Sequence, residues 1–367
     1  MKLVKFLFLL ISIVFTSIYL ISPNLQAEDK IIPFEPAWWC QGGHLQTIYG
    51  GLFHAKPDLL LKRERLELPD GDFIDLDWLD GNEDKPLVVI LHGLGSSAHV
   101  PYVLSMVEEI QKIGWRAVAI NARGSLEPNR LLETTHAGKS EDLDFVLNHL
   151  IKMRHSAPSE LSAAQPSMQS ASRGAPIYLI GYSLGGNVIL KYLGEKGEAV
   201  PEEVVKAAAV SVPYYLEQAA HNLDQGFNRE VYARVMLNHL KAQTFEKAKR
   251  FPNDINFEKV RNMNTFQAYD REITARLNGF RDERDYWAQS SSVNYLENIK
   301  IQVLLIHAID DPFLPKRDLP LEKIEKLPHL KLVLTQDGGH LGFISGAIPF
   351  HPDKWLESTL LGFFEHE

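Results

Sequence analysis

The sequence predicts an α/β fold: a mostly parallel, doubly wound sheet, entered through antiparallel strands and interrupted by a helical insertion. Three observations predict it. Six apolar runs without polar alternation recur from residue 86 onward, as suits strands covered on both faces. Amphipathic helical stretches separate the first of these runs, the pattern of crossover connections. Between the fourth and fifth runs, about 85 residues (214–298) carry no strand pattern at all.

The chain has 367 residues, 45% hydrophobic and 23% charged, enough for a large core. A net charge of −9 with scattered basic residues argues against a nucleic-acid footprint. Cys40 is the only cysteine, which excludes an internal disulfide and a multi-cysteine zinc site.

The elements follow in order. Lys2 and Lys5 precede an uncharged apolar run, Phe6 to Ile21, ended by Pro23. This reads as a signal peptide or an uncleaved anchor, residues 1–27. As a helix, Leu3 to Ile21 would span roughly 28 Å, close to the ~30 Å hydrocarbon core. Leu25 is bulky for cleavage after Ala27, which favours an anchor. The two lysines place the N-terminus inside and residues 28–367 outside, in the cell envelope: anchored towards the periplasmic side, or exported. A lead-in, "WWCQGGHLQTIYGG", comes next. Alternation on both sides of Pro69-Asp70-Gly71-Asp72 predicts a β-hairpin. Strands are expected at 86–93, 116–123, 176–183, 206–213, 301–310 and 330–335, with helices at 101–113, 140–153 and 184–196. Residues 156–174, small and polar, read as a surface loop. The helical insertion 214–298 is expected to cap the C-terminal edge of the sheet.

The chemistry is expected at that edge. Gly181-Tyr-Ser183-Leu-Gly185 sits between an apolar run and an amphipathic helix. That context fits a nucleophile elbow, in which glycines let strand and helix pass closely and the serine hydroxyl projects above the sheet. A base is expected after the last strand, where Gly338-Gly339-His340 lies; of fourteen histidines, its position singles out His340. An acid is expected after the preceding strand, which ends in Asp310-Asp311. Asp311 stands four residues before Pro315 and is preferred, with Asp310 as the alternative. Backbone N–H groups of Leu94 and Leu184 are the candidates for an oxyanion site, the second at a helix N-terminus. His92 is expected to brace its loop without carrying a proton. The order Ser183, Asp311, His340, with gaps of 128 and 29 residues, leaves room for a cap and a last βα unit. It makes nucleophilic attack on a carbonyl the expected chemistry.

These stretches also carry a resemblance. "GGHLQTI" (42–48), "LHGLGSS" (91–97), "ARGSLEPNR" (122–130), "HAGKSEDL" (136–143), "GYSLGGNVILKYLGE" (181–195), "DDPF" (310–313) and "GGHLGF" (338–343) resemble the YheT-like branch of α/β-hydrolases, also called the AB-hydrolase 4 family. They span roughly residues 33–365. The resemblance implies an α/β-hydrolase fold and a Ser-Asp-His esterase or lipase acting on small or lipidic acyl esters without a cofactor. It falls on Ser183, Asp311 and His340. Family members include acylglycerol and phospholipid hydrolases and acyl-ester synthases, and several animal members carry an N-terminal membrane anchor. One stretch departs: the family often has Arg-Gly-Cys-Ser-Gly where this chain has "RGSLEPNR" from Arg123, in a loop expected to border the acyl or alcohol pocket. His44 is typical of the family, and its expected role is to brace the lead-in against the sheet. Two other readings keep the same residues: acyl transfer to an alcohol, and a non-catalytic binding protein built on the hydrolase fold.

Overall fold

The computed structural model describes residues 20–21, 33–52, 57–156 and 174–366. The expected signal or anchor (1–27) lies outside the described residues except Leu20–Ile21, and so do residues 157–173 of the polar insertion. Among the described residues no helix is long and apolar enough to cross a membrane.

A nine-stranded sheet runs β1-β9-β8-β7-β6-β4-β5-β3-β2. The hairpin β2 (Lys62–Glu67) and β3 (Phe73–Leu79) is antiparallel, and β3 pairs antiparallel with β5 (Arg116–Asn121). The strands β4 (Leu87–Leu91), β5, β6 (Ile177–Tyr182), β7 (Val204–Val210), β8 (Gln302–Ala308) and β9 (Leu330–Thr335) are parallel. The two-residue β1 (Leu20–Ile21) lies antiparallel to β9. The fourth run was expected at 206–213; it starts at Val204 and stops at Val210 because Ser211 takes a φ of 51°, a conformation that leaves the strand.

Both faces of the sheet are covered, which is why its strands read as unbroken apolar runs. Val89, Leu91, Val118, Leu179, Ala207 and Leu305 share one core with α3 (Ser140–Ser156) and α4 (Leu184–Lys196). Their sequence neighbours Val88, Ile90, Ala117, Ile180, Ala208 and Leu304 point the other way. They pack on α2 (Pro101–Lys112) and on the C-terminal helix, α8 (Trp355–Glu365).

Residues 214–298 form no strand; short helices and helical turns alternate there with turns and coil. The longer pieces are α5 (Leu216–Leu223), α6 (Arg234–Arg250) and α7 (Glu283–Ser290), with two π-helical turns, Arg229–Ala233 and Asp270–Ala275. A third core joins their apolar faces to Leu94, Leu184, Phe313 and Leu314. Those four residues belong to loops or a helix start beyond the C-terminal ends of strands, so the insertion sits over that edge.

The lead-in forms helix α1 (Gly43–Leu52). Gln46, fully buried, ties it down: its amide nitrogen donates to the carbonyls of Cys40 and Ile344, and its oxygen accepts from Ile344 N–H. Cys40 is buried nearby, and burial pushes its thiol up to about 11. His44 does something other than expected. It is exposed and contacts the cap, with Nδ1 2.9 Å from Tyr232 Oη and its ring stacked on that tyrosine. The bracing assigned to His44 belongs to Gln46, whose uncharged amide can be buried with its hydrogen bonds satisfied.

Candidate active site

Ser183 is the single residue between β6 and α4. Its backbone, φ 50° and ψ −116°, is held by N–H donation to Val210 C=O at 2.8 Å. A non-glycine residue there is strained, by about 1–3 kcal/mol. The flanking glycines permit it through space. A Cβ on Gly185 would stand 2.5 Å from Leu91 C=O, and one on Gly181 2.5 Å from Gly186 N. Helix and strands therefore approach as the pentapeptide implied.

His340 lies in the loop after β9, and Asp311 in the loop after β8. His340 Nε2 is 3.0 Å from Ser183 Oγ, and His340 Nδ1 is 2.8 Å from Asp311 Oδ2. The three residues are brought together across 157 and 29 residues of sequence. The Asp311 carboxylate is fully buried, and its other oxygen accepts from the N–H groups of Phe313 (2.8 Å) and Leu314 (3.1 Å). With the carboxylate so placed, Nδ1 carries the imidazole proton and Nε2 faces the serine as an acceptor. The ring of Phe313 covers the imidazole, centroids 4.4 Å apart.

Asp310, the alternative, points elsewhere. Its Oδ1 accepts from Gly339 N–H at 2.8 Å, and burial pushes its carboxyl up to about 6. It shapes the histidine's loop and does not touch the imidazole.

Leu94 and Leu184 both line the cavity beside Ser183. The neighbouring amide of Gly93 donates to Tyr102 Oη at 3.0 Å, whereas no described group accepts from the amides of Leu94 or Leu184. His92 is buried, with Nδ1 2.8 Å from Gly93 C=O and Nε2 accepting from Ala122 N–H at 3.3 Å. Burial pushes it down to about 4, so it is neutral at physiological pH and braces two loops.

The cavity measures about 470 Å³. Leu216, Ala220, Leu223, Met236 and Leu240 give it an apolar wall from the cap. The divergent "RGSLEPNR" loop lines it too, through Gly124, Ser125, Leu126 and Asn129. Arg123 at its base is buried among Asp142 (2.8 and 2.6 Å), Asp70 (2.5 Å) and Asp72 (3.4 Å). From the cap, Lys247 Nζ donates to Asn129 Oδ1, Leu131 C=O and Glu133 C=O at 2.6, 2.5 and 2.8 Å. The departure from the family pattern is thus a cavity wall clamped by α6.

One site residue escaped the sequence reading. Thr47 Oγ1 accepts from His340 N–H at 2.8 Å and donates to Gly43 C=O at 2.6 Å. A Cβ on Gly339 would stand 2.4 Å from Gly43 C=O, so α1 presses directly on the histidine's loop. Thr47 lies within "GGHLQTI", but a threonine there carries no chemical signature of its own.

Comparison with known proteins identifies the family. A family model described as the α/β hydrolase fold matches residues 86–347. The Escherichia coli (strain K12) protein named "Putative esterase YheT" is 38% identical over 324 residues, 86% of this chain and 88% of that protein. Mouse (Mus musculus) phospholipase ABHD3 is 28% identical over 345 residues, 91% of this chain and 79% of that protein. Among solved structures, a Pyrococcus furiosus esterase, Pf2001, superposes with a TM-score of 0.52 at 18% identity, over 84% of this chain and 91% of that one; at that identity the likeness speaks for the fold. The chain belongs to the α/β-hydrolase fold family, in its YheT-like branch.

Proposed function

We propose that the protein is a serine esterase that cleaves carboxylic acyl esters through Ser183, His340 and Asp311. The observation that carries this is the imidazole of His340, bridging Ser183 Oγ at 3.0 Å and Asp311 Oδ2 at 2.8 Å in the wall of an apolar cavity. As Ser183 Oγ attacks the ester carbonyl, His340 Nε2 takes its proton, and Asp311 stabilises the imidazolium so formed. The N–H groups of Leu94 and Leu184 receive the oxyanion. The leaving alcohol takes the proton back from Nε2, and water, deprotonated by the same nitrogen, frees the acid and Ser183.

A lipidic ester is the favoured class. The cap gives the cavity its apolar wall, and relatives bear the names phospholipase ABHD3 and monoacylglycerol lipase ABHD2. The apolar run behind Lys2 and Lys5 supports a place in the cell envelope, with the hydrolase outside the membrane; protease accessibility in intact cells tests that placement.

The deciding experiment compares the native protein with Ser183→Ala on p-nitrophenyl butyrate and on an extracted lipid mixture, with a fluorophosphonate probe alongside. Native protein should turn over ester and take the label, and the variant should do neither. Equal turnover by the two proteins would end the reading.

A further inference from the structure

The cavity that reaches Ser183 also holds a carboxylate that ester cleavage does not use. Asp270 begins the π-helical turn Asp270–Ala275 and lines the cavity. Such turns are rare and cluster at functional positions. One Asp270 oxygen accepts from Thr274 Oγ1 and the other from Trp287 Nε1, each at 2.8 Å. Both donors are neutral. Among the described residues no Lys, Arg or His forms an ion pair with it, and the charges that act on it most, Asp224 and Glu283, have its own sign. Burial pushes its carboxyl up to about 7.

Among the described residues this acid has no counter-ion. Glu283 is bound to Arg271, and Asp224 accepts the N–H groups of Phe266 and Gln267. The cations that line the cavity are occupied elsewhere: Arg123 by three aspartates, Lys139 by Glu141 at 2.9 Å, and Lys247 by its three oxygens. A half-buried carboxylate without a counter-ion is costly to ionise, and an apolar chain alone gains nothing from one. The same cavity is lined by the rings of Phe266, Tyr269, Tyr286 and Trp287. Aromatic rings and a carboxylate lining one cavity are the two components that hold an organic cation.

We propose that Asp270 and these rings form a subsite for an ammonium group carried by the ester, so that the enzyme prefers cationic esters to neutral ones of equal length. The proposal rests on the esterase reading of Ser183 and adds a substrate class to it. Two hydrogen bonds to the cap would also be made by a purely structural aspartate, so the test must read charge selectivity rather than activity.

The full-length protein is assayed on p-nitrophenyl alkanoates of graded length and on their ω-trimethylammonio and ω-amino analogues, at a pH where the carboxyl is ionised. At some length the cationic ester should exceed the neutral one in kcat/KM by about tenfold or more. Asp270→Asn should lower that ratio by a similar factor. The two analogue series distinguish quaternary from primary ammonium. A native protein that prefers the neutral ester at every length overturns the proposal, and so does a ratio that Asp270→Asn leaves where it was. If that variant does not fold, the native comparison decides alone. A short-chain alkyltrimethylammonium ion should also raise the native protein's melting temperature more than the alcohol of matched size does. If no ester is cleaved but this difference persists, the esterase reading fails and the subsite stands; if the difference is missing as well, both fail.

Discussion

Replacing Thr47 by valine keeps the size of a residue that lies outside the reacting atoms, and it should still cripple the enzyme. The hydroxyl is the acceptor for His340 N–H at 2.8 Å, and Thr47 is buried, 8% exposed. Valine leaves that N–H without a partner. The Gly43 carbonyl loses the hydroxyl but keeps its place in the helical ladder of α1. One orphaned buried donor costs about 1–3 kcal/mol, a loss of no more than a few degrees in melting temperature for a chain of this size. The effect on rate should be larger. If the His340 backbone relaxes by about 1 Å to find another acceptor, Nε2 leaves its 3.0 Å position at Ser183 Oγ, and a displacement of that size costs roughly 10²-fold, or about 2.7 kcal/mol of barrier. In the proposed mechanism the imidazole acts in the transition state, so kcat should fall while KM holds. Thr47→Ser restores the hydroxyl and should recover most of kcat. Initial rates on p-nitrophenyl butyrate and a thermal melt read both quantities. A valine variant within threefold of native kcat would refute the reasoning, as would a serine variant no better than valine.

The two adjacent aspartates should separate cleanly. Asp311→Asn should lower kcat by about 10⁴-fold, since it removes the partner that fixes the imidazole's tautomer, whereas Asp310→Asn should cost under about tenfold because it acts only through Gly339. Asp310 should also leave a mark on stability against pH. Its folded value of about 6 exceeds the ~3.9 of an unfolded chain, so the stability linked to it is full below about pH 3.9 and lost as pH rises through about 6. Melts of Asp310→Asn should therefore be flatter than native between those values; parallel curves would contradict the burial of that carboxyl. Strain at the nucleophile predicts that Ser183→Gly melts above Ser183→Ala although both are inactive, because glycine accepts a φ of 50° and alanine does not. Equal melting temperatures would mean the turn stores no strain.

What could be read in the sequence, and what could not, follows the chemistry of each half of the site. The proposed nucleophile is held by one continuous stretch. Strand, turn and helix of residues 177–196 are adjacent in sequence, and the two glycines are forced by contacts with Leu91 and Gly186, so their pattern survives as a motif. The parallel strands are legible for a similar reason, since coverage on both faces leaves unbroken apolar runs. The acid–base half is assembled from separate places. Asp311 owes its role to an orientation set by the amides of Phe313 and Leu314, and a side-chain orientation that distinguishes it from Asp310 is not written in the two letters themselves. Thr47 lies 293 residues from the histidine it positions, and a threonine in an amphipathic helix looks like any other. His44 is typical of the family motif and suggests bracing of the lead-in, yet its contacts are with Tyr232 of the cap. Asp270 is equally silent, because what marks it is that no described residue serves as its counter-ion, in a cavity closed by helices distant in sequence. The lead-in is thus part of the proposed catalytic site. Gly43, Thr47 and Gly339 interlock so closely that α1 cannot move without moving His340, and an N-terminal deletion that reaches residue 43 should abolish activity even though Ser183, Asp311 and His340 all remain in the chain.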